Sequence, residues 1–172
     1  YHGCLRPFLE SPDAALAEFE DTGEIKWASD LARVPQEHGV SNIYAELGTS
    51  FANSATANPR FAAALMGTFI KGMGHKNVVW GTDSLFYGSP QWQIEAFRRF
   101  QIPEEMQEKF GYPEITDDDK AKILGLNAAK LYSIDVPSTI QKISDDRMAQ
   151  LKNAYLAEGG KPSNNIYGWV MS

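Results

Sequence analysis

The chain has 172 residues, of which 43% are hydrophobic and 12% are aromatic. This composition is typical of one globular unit with a sizeable core, and it excludes a disordered or fibrous protein. The net charge is -6 and no run of Lys or Arg occurs, which argues against a nucleic acid or an anionic membrane surface as the main partner.

Three further features bear on where the protein works. No apolar stretch approaches the roughly 20 residues that a membrane-spanning helix needs. Cys4 is the only cysteine, which excludes an internal disulfide and a cysteine-based zinc site, so we expect a reducing, cytoplasmic setting. The chain begins at Tyr1 without an initiator Met or a signal-peptide pattern, and we therefore expect it to be part of a longer protein.

The first half of the sequence predicts helices around one strand. Residues 12–37 are mainly helical in pattern, with an interruption near Gly23. Residues 40–47 alternate apolar and polar side chains, which predicts a strand. A helix follows, because Asn58 and Pro59 are a favourable N-cap and first-turn pair. Its apolar residues recur every four positions, at Phe61, Leu65, Phe69 and Met73.

The second half predicts one more strand and three helices. Residues 77–82 are β-branched and aromatic, as in a strand that is buried on both faces. A helix after Pro90 carries Ile94, Phe97 and Phe100. The next helix, residues 117–131, begins with a capping box of Thr116 and Asp119. Its predicted inward face consists of Ala121, Leu124, Ala128 and Leu131. A last helix, residues 144–158, is predicted to pack through Met148, Leu151 and Tyr155.

This order of elements predicts an α/β fold with parallel strands, because the helices are long enough to serve as crossover connections. Two strands do not make a stable sheet by themselves. If Tyr1 and His2 are the last turn of a third strand, the chain is the closing portion of a larger parallel sheet or barrel.

Polar side chains follow each of these strands. His2, Glu46 and Asp83 stand at the carboxyl ends, where parallel α/β folds gather their functional groups. A carboxylate at such an end can ligate a divalent ion and accept a proton from water. For Asp83 the alternative is a cap of the turn through its side-chain oxygens. The strand pattern leaves open whether Glu46 faces the site or a neighbouring helix.

Four segments carry a resemblance to a known family. GTDSLFYGSPQWQIEAFRRFQIP and DDDKAKILGLNAAKLYSID closely resemble the closing segment of the amidohydrolase-related enzymes, which are metal-dependent TIM barrels whose last strand ends in Gly-Thr-Asp. YHGCLRPF resembles their sixth strand and NIYAELGTS their seventh. The resemblance implies that residues 1–135 are the carboxyl-terminal part of a (β/α)8 barrel, strands six to eight. Residues 136–172 would then be a helical extension and tail.

The resemblance also implies roles for individual residues. Asp83 matches the aspartate that ligates the metal or accepts a proton from the attacking water. His2 matches the sixth-strand histidine, which binds the metal or contacts the substrate. The metal implied is zinc, with manganese as the alternative. The family also takes ligands from a His-x-His pair on the first strand and a histidine on the fifth, and this sequence contains neither. Its only other histidines, His38 and His75, precede strands and are expected at the opposite end of the barrel.

Three more residues are candidates for binding a small-molecule substrate. Arg6 follows the first strand end and suits a substrate carboxylate. Tyr87 and Trp92 follow Asp83 and would stack on a planar substrate at the pocket rim, although Trp92 equally suits the core.

The function that the resemblance implies is hydrolysis or non-oxidative decarboxylation, through a metal-activated water or a metal-polarised carboxylate. The missing amino-terminal part of the barrel would be a required partner, and this chain alone would be inactive. The alternative is a half-barrel without chemistry of its own, which pairs through its open strand edges with another chain, including a second copy.

Overall fold

The computed structural model describes Gly3 and residues 11–84, 86 and 88–160 of the chain. The described residues form ten α-helices: α1 Pro12–Thr22, α2 Ala28–His38, α3 Gly48–Ala57, α4 Pro59–Met73, α5 Gln91–Arg99, α6 Glu104–Phe110, α7 Asp117–Ala121, α8 Asn127–Leu131, α9 Val136–Ile143 and α10 Arg147–Ala157. The strands are β1 Ala45–Glu46 and β2 Val78–Val79. A short 3-10 turn, His75–Asn77, precedes β2, and a π-helical segment, Lys122–Leu126, joins α7 to α8. The chain divides into two compact units between Ala128 and Ala129.

The two strands pair in parallel, as predicted, with Ala45 opposite Val78 and Glu46 opposite Val79. They are shorter than the predicted strands of residues 40–47 and 77–82. Part of the reason is the Asn77 side chain, whose Nδ2 donates to the carbonyl oxygens of Ser41 and Ile43 at 2.9 and 2.7 Å. These side-chain bonds occupy carbonyls that a longer ladder would use. The predicted strand at Tyr1 and His2 lies outside the described residues.

Helix α4 forms the centre of the core in the larger unit. Its predicted apolar face is confirmed, because Phe61, Leu65 and Phe69 are buried and Met73 is partly buried against the same core. The predicted N-cap is also confirmed: the Asn58 side-chain oxygen accepts a hydrogen bond from the backbone N–H of Phe61 at 3.0 Å. The helix ends at Gly74, whose backbone N–H donates to the carbonyl of Ile70.

Helices α3 and α6 were not expected from the sequence. Helix α3 buries small side chains, among them Thr49, Ser50, Ala52 and Ser54, and only Phe51 supplies a large apolar group. A helix of this composition has no stripe of large apolar residues, which is the pattern that reveals a helix in a sequence. Its small residues let the start of this helix lie close to the end of β2, where Thr49 contacts Asp83.

The predicted helix of residues 117–131 is interrupted by the π-helical segment. Its capping box is confirmed, with Thr116 and Asp119 bonded reciprocally. The predicted inward face is displaced by one position: the buried residues are Lys120, Ile123 and Asn127, and of the predicted residues Leu124 packs against the core while partly exposed. The polar pair is buried because Lys120 Nζ donates to the carbonyl of Arg98 at 2.9 Å. Asn127 Nδ2 likewise donates to the carbonyls of His75 and Val78, both at 2.8 Å.

Asp119 stabilises the start of α7 electrostatically. Partial burial raises the pKa of its carboxyl group, but hydrogen bonds from Thr116 and the nearby charges of His75 and Lys122 outweigh burial and hold the pKa below its ordinary value. Stabilisation from Asp119 is therefore present at neutral pH and is lost as the pH falls through this lowered pKa.

The smaller unit contains α9 and α10. The predicted last helix is confirmed from Arg147, and Asp146 caps it by accepting a hydrogen bond from Ala149 N at 2.8 Å. Met148, Leu151 and Tyr155, through which this helix is predicted to pack, are not buried: they are 69%, 53% and 55% exposed. None of residues 129–160 is buried, as expected of a unit too small to enclose a core. Within the described ranges, no helix has the length and apolarity needed to cross a membrane.

Candidate functional site

Asp83 lies where the chain turns away from β2. Its backbone φ is 48°, in the left-handed region that few residues other than glycine adopt and that aspartate tolerates better than most. Its carbonyl oxygen accepts a hydrogen bond from the backbone N–H of Phe86 at 2.8 Å, which closes a tight turn. The chain therefore reverses at Asp83, and the half-buried carboxylate stays beside the strand end.

The Asp83 carboxylate is bound by the residue that follows the other strand. Thr49 donates its backbone N–H to Asp83 Oδ2 at 2.8 Å, and its hydroxyl Oγ1 donates to the same oxygen. Thr49 is in the first turn of α3 and is only 4% exposed. The N-cap residue of α3, Leu47, offers no side-chain acceptor. Asp83 therefore supplies from the neighbouring strand the negative charge that a helix N-terminus favours.

A second contact holds the peptide that precedes Asp83. Gln93, on α5, is fully buried and donates its side-chain Nε2 to the carbonyl oxygen of Thr82 at 2.8 Å. Its Oε1 has no hydrogen-bond partner in the described part of the chain. One turn further along α5, Phe97 packs between Phe51 and Trp80. The helix that holds the Thr82 carbonyl is thus itself packed through aromatic side chains.

The structure settles which way Glu46 points. Side chains alternate between the two faces of a strand. Ala45 and Val78 are fully buried, and Trp80, which shares their face, packs against helices α3 and α5. Glu46 lies on the opposite face, where its Oε1 occupies the space that a Cβ atom on Gly81 would take. Glu46 therefore faces away from the helices, beside the chain that leads to Asp83.

This close approach explains the glycine before Thr82-Asp83. We expect Gly81→Ala to destabilise the protein by about 1 kcal/mol, because the added methyl group displaces the Glu46 carboxylate. The cost is small because the displaced atoms are the end of a flexible side chain. Urea denaturation measures the free energy of unfolding. The penalty should shrink in a Glu46→Ala background, and an equal penalty in both backgrounds would contradict this steric explanation.

The remaining predicted site residues are placed as follows. His2, Arg6 and Tyr87 lie outside the described residues, so their roles stay predictions. Trp92 is half-buried in the first turn of α5, and its contact with a substrate also stays a prediction.

The two other histidines lie before the strands, as predicted. His38 is exposed at the end of α2. His75 directly precedes β2, and its Nδ1 is 3.3 Å from Asp119 Oδ1. His38 and His75 both lie on the amino-terminal side of a strand. Asp83 lies on the carboxyl-terminal side of one.

The described residues do not by themselves form a metal site. No group of three or more His, Cys, Asp or Glu side chains comes together among them. Asp83 offers a carboxylate, which is a suitable ligand type for zinc or manganese, but its Oδ2 already accepts two hydrogen bonds from Thr49. One carboxylate is too small a ligand set to hold a divalent ion.

Sequence reasoning missed Thr49 and Gln93. Thr49 could have been found from position, because it follows a strand end at the edge of the sheet where Asp83 also lies. Gln93 had no comparable signal, since a glutamine between apolar positions of a helix is usually exposed.

Comparison with known proteins identifies a family. A family model described as amidohydrolase matches residues 20–134 of the chain. The matched residues cover more than half of the chain and include both strands, Thr49, Asp83 and Gln93. No curated protein and no solved structure matches the chain significantly.

Proposed function

Because the chain belongs to the amidohydrolase family, we propose that it is part of a metal-dependent enzyme that hydrolyses or non-oxidatively decarboxylates a small-molecule substrate. The observation that carries this proposal is the position of Asp83. Its carboxylate leaves the end of a strand that is paired in parallel with β1, and it is anchored by Thr49. In parallel α/β folds this edge of the sheet carries the catalytic groups.

Residues 1–135 form strands six to eight of the barrel in this proposal, with β1 as the seventh strand and β2 as the eighth. The first five strands come from elsewhere in the intact protein or from another chain. His2, at the end of the sixth strand, then lies beside Asp83. Alone, the present chain binds a divalent ion weakly, because most ligands of the family site are missing from it.

Each candidate residue has a separate task in this proposal. A bound divalent ion would activate water or polarise a carboxylate of the substrate. Asp83 accepts the proton of the attacking water, for which its fixed position is suited. Arg6 binds a substrate carboxylate through paired N–H groups, and Tyr87 and Trp92 stack on a planar substrate.

Removal of metal from the intact protein tests the proposed class. The assay measures product release from a panel of amides, lactones and small carboxylic acids. We expect turnover of at least one panel member to fall after chelation and to return when Zn²⁺ or Mn²⁺ is added. Mg²⁺ serves as the control ion, since it prefers all-oxygen octahedral sites. Full turnover after chelation would contradict the proposal.

A further inference from the structure

We propose that Thr49 is a positioning residue, which holds the Asp83 carboxylate in the orientation that the reaction requires. The inference rests on the proposed function, in which Asp83 accepts a proton. Thr49 does not touch the substrate in this proposal and acts through Asp83 alone.

The first argument is the geometry of the contact. Both donors of Thr49, the backbone N–H and the hydroxyl, converge on one oxygen, Asp83 Oδ2. Two donors from one residue fix the rotation of the carboxylate about its Cβ–Cγ bond. The direction in which the second oxygen points is then fixed as well. Hydrogen bonds to an ionised acceptor are also stronger than those between neutral groups.

The second argument is the rigidity of the donor. Thr49 is 4% exposed and belongs to a ten-residue helix whose neighbouring residues, Gly48, Ser50 and Phe51, are also buried. The helix N-terminus adds a favourable electrostatic interaction with the carboxylate. A donor held in this way does not follow the carboxylate if the latter rotates, so it acts as a fixed reference.

The third argument is that the turn at Asp83 contains unfavourable features. Asp83 has a φ of 48°, which is unfavourable for a residue with a side chain. Gln93 fixes the preceding carbonyl at 2.8 Å while its own buried Oε1 lacks a partner among the described residues. Unpaired buried acceptors are destabilising. Two unfavourable features at the turn that carries this carboxylate favour a role for the turn in chemistry rather than in stability.

Thr49→Val in the intact protein tests the inference. Valine keeps the branched shape and the backbone N–H but removes the hydroxyl donor. Residues that orient a functional group through a hydrogen bond typically change activity by about 10- to 100-fold. We therefore expect turnover to fall by about 10-fold or more, with a change in KM of less than about threefold. Thr49→Ser restores the hydroxyl and should recover most of the turnover.

Thr56→Val is the matched control. Thr56 lies in the same helix, and its hydroxyl donates to the carbonyl of Ala52 at 3.0 Å and makes no contact with Asp83. The same atoms are removed from α3 at an exposed position, so this variant reports what a threonine-to-valine change does to the helix itself, apart from the Asp83 contact. We expect Thr56→Val to keep wild-type turnover.

A double mutant separates action through Asp83 from an independent effect. If Thr49 acts through Asp83, then Thr49→Val should not slow an enzyme that already carries Asp83→Asn. Multiplicative losses in the double mutant would overturn the inference. Amide hydrogen exchange gives a readout that needs no substrate: in Asp83→Ala, exchange of the Thr49 N–H should accelerate about tenfold or more. Unchanged exchange would also overturn it.

The outcomes distinguish the inference from the function on which it rests. Normal turnover in Thr49→Val, together with a strongly impaired Asp83→Asn, would overturn the role of Thr49 and leave the proposed function intact. Normal turnover in both variants would overturn the proposed function as well. Loss in Thr49→Val that serine does not recover would reduce Thr49 to a structural residue and so overturn the inference.

Discussion

Asp83→Asn is expected to lower turnover of the intact enzyme by at least about 10²-fold, which is the size of a general-base contribution. Asparagine keeps the shape of the side chain but removes the negative charge and the proton-accepting oxygen. Its amide oxygen can still accept hydrogen bonds from Thr49, so the turn and the start of α3 should persist. Turnover at saturating metal, with circular dichroism as the check of the fold, measures this effect.

The histidines provide the controls for this substitution. His2→Ala should weaken activity, because His2 is predicted to lie beside the metal. His38→Ala and His75→Ala should change turnover little. His38 is exposed, and His75 pairs with Asp119 at the end of the strands opposite to Asp83. Near-normal turnover in Asp83→Asn would leave Asp83 as a cap of α3 and nothing more.

The sequence predicted most of the elements whose large apolar residues recur with a regular period. Helix α4 is the clearest case, because Phe61, Leu65 and Phe69 mark its buried face and Asn58 marks its start. The parallel pairing of β1 and β2 was also predictable, because a helix long enough for a crossover separates the two strands.

Errors arose where buried polar groups replace apolar ones. Lys120 and Asn127 are inside because each donates to backbone carbonyls of a neighbouring segment. The spacing of apolar residues does not reveal such partners, because they are distant in the chain. The same limit applies to Gln93, whose burial follows from its bond to Thr82. Long-range hydrogen bonds, rather than local pattern, decide these positions.

The candidate site was predictable only in its central residue. Asp83 stands out in the sequence because an acidic side chain follows an apolar strand, and the structure places it at the expected edge of the sheet. Its partner Thr49 is separated from it by 34 positions, and their contact exists only because β1 and β2 are neighbours. Pairing of the strands therefore brings the site together.

Phe97→Ala is expected to cost about 3–5 kcal/mol of unfolding free energy, the usual range for removal of a buried phenylalanine. Phe97 is fully buried, and its ring lies 5.2 Å from that of Phe51 and 5.1 Å from that of Trp80. Alanine leaves a cavity and removes three aromatic contacts, with Phe51, Trp80 and Phe100. Since native proteins are stable by only about 5–15 kcal/mol, the loss is a large fraction of the total.

Urea denaturation checks this value, with Phe86→Ala as the control of the same chemical type. Phe86 is 88% exposed, so its removal should change the unfolding free energy by less than about 0.5 kcal/mol. Equal effects of the two substitutions would show that these aromatic contacts do not stabilise this fold. The folded fraction of Phe97→Ala should keep its turnover, whereas Asp83→Asn should keep its stability and lose turnover. That opposite behaviour would separate the residues that support the turn from the carboxylate that the turn presents.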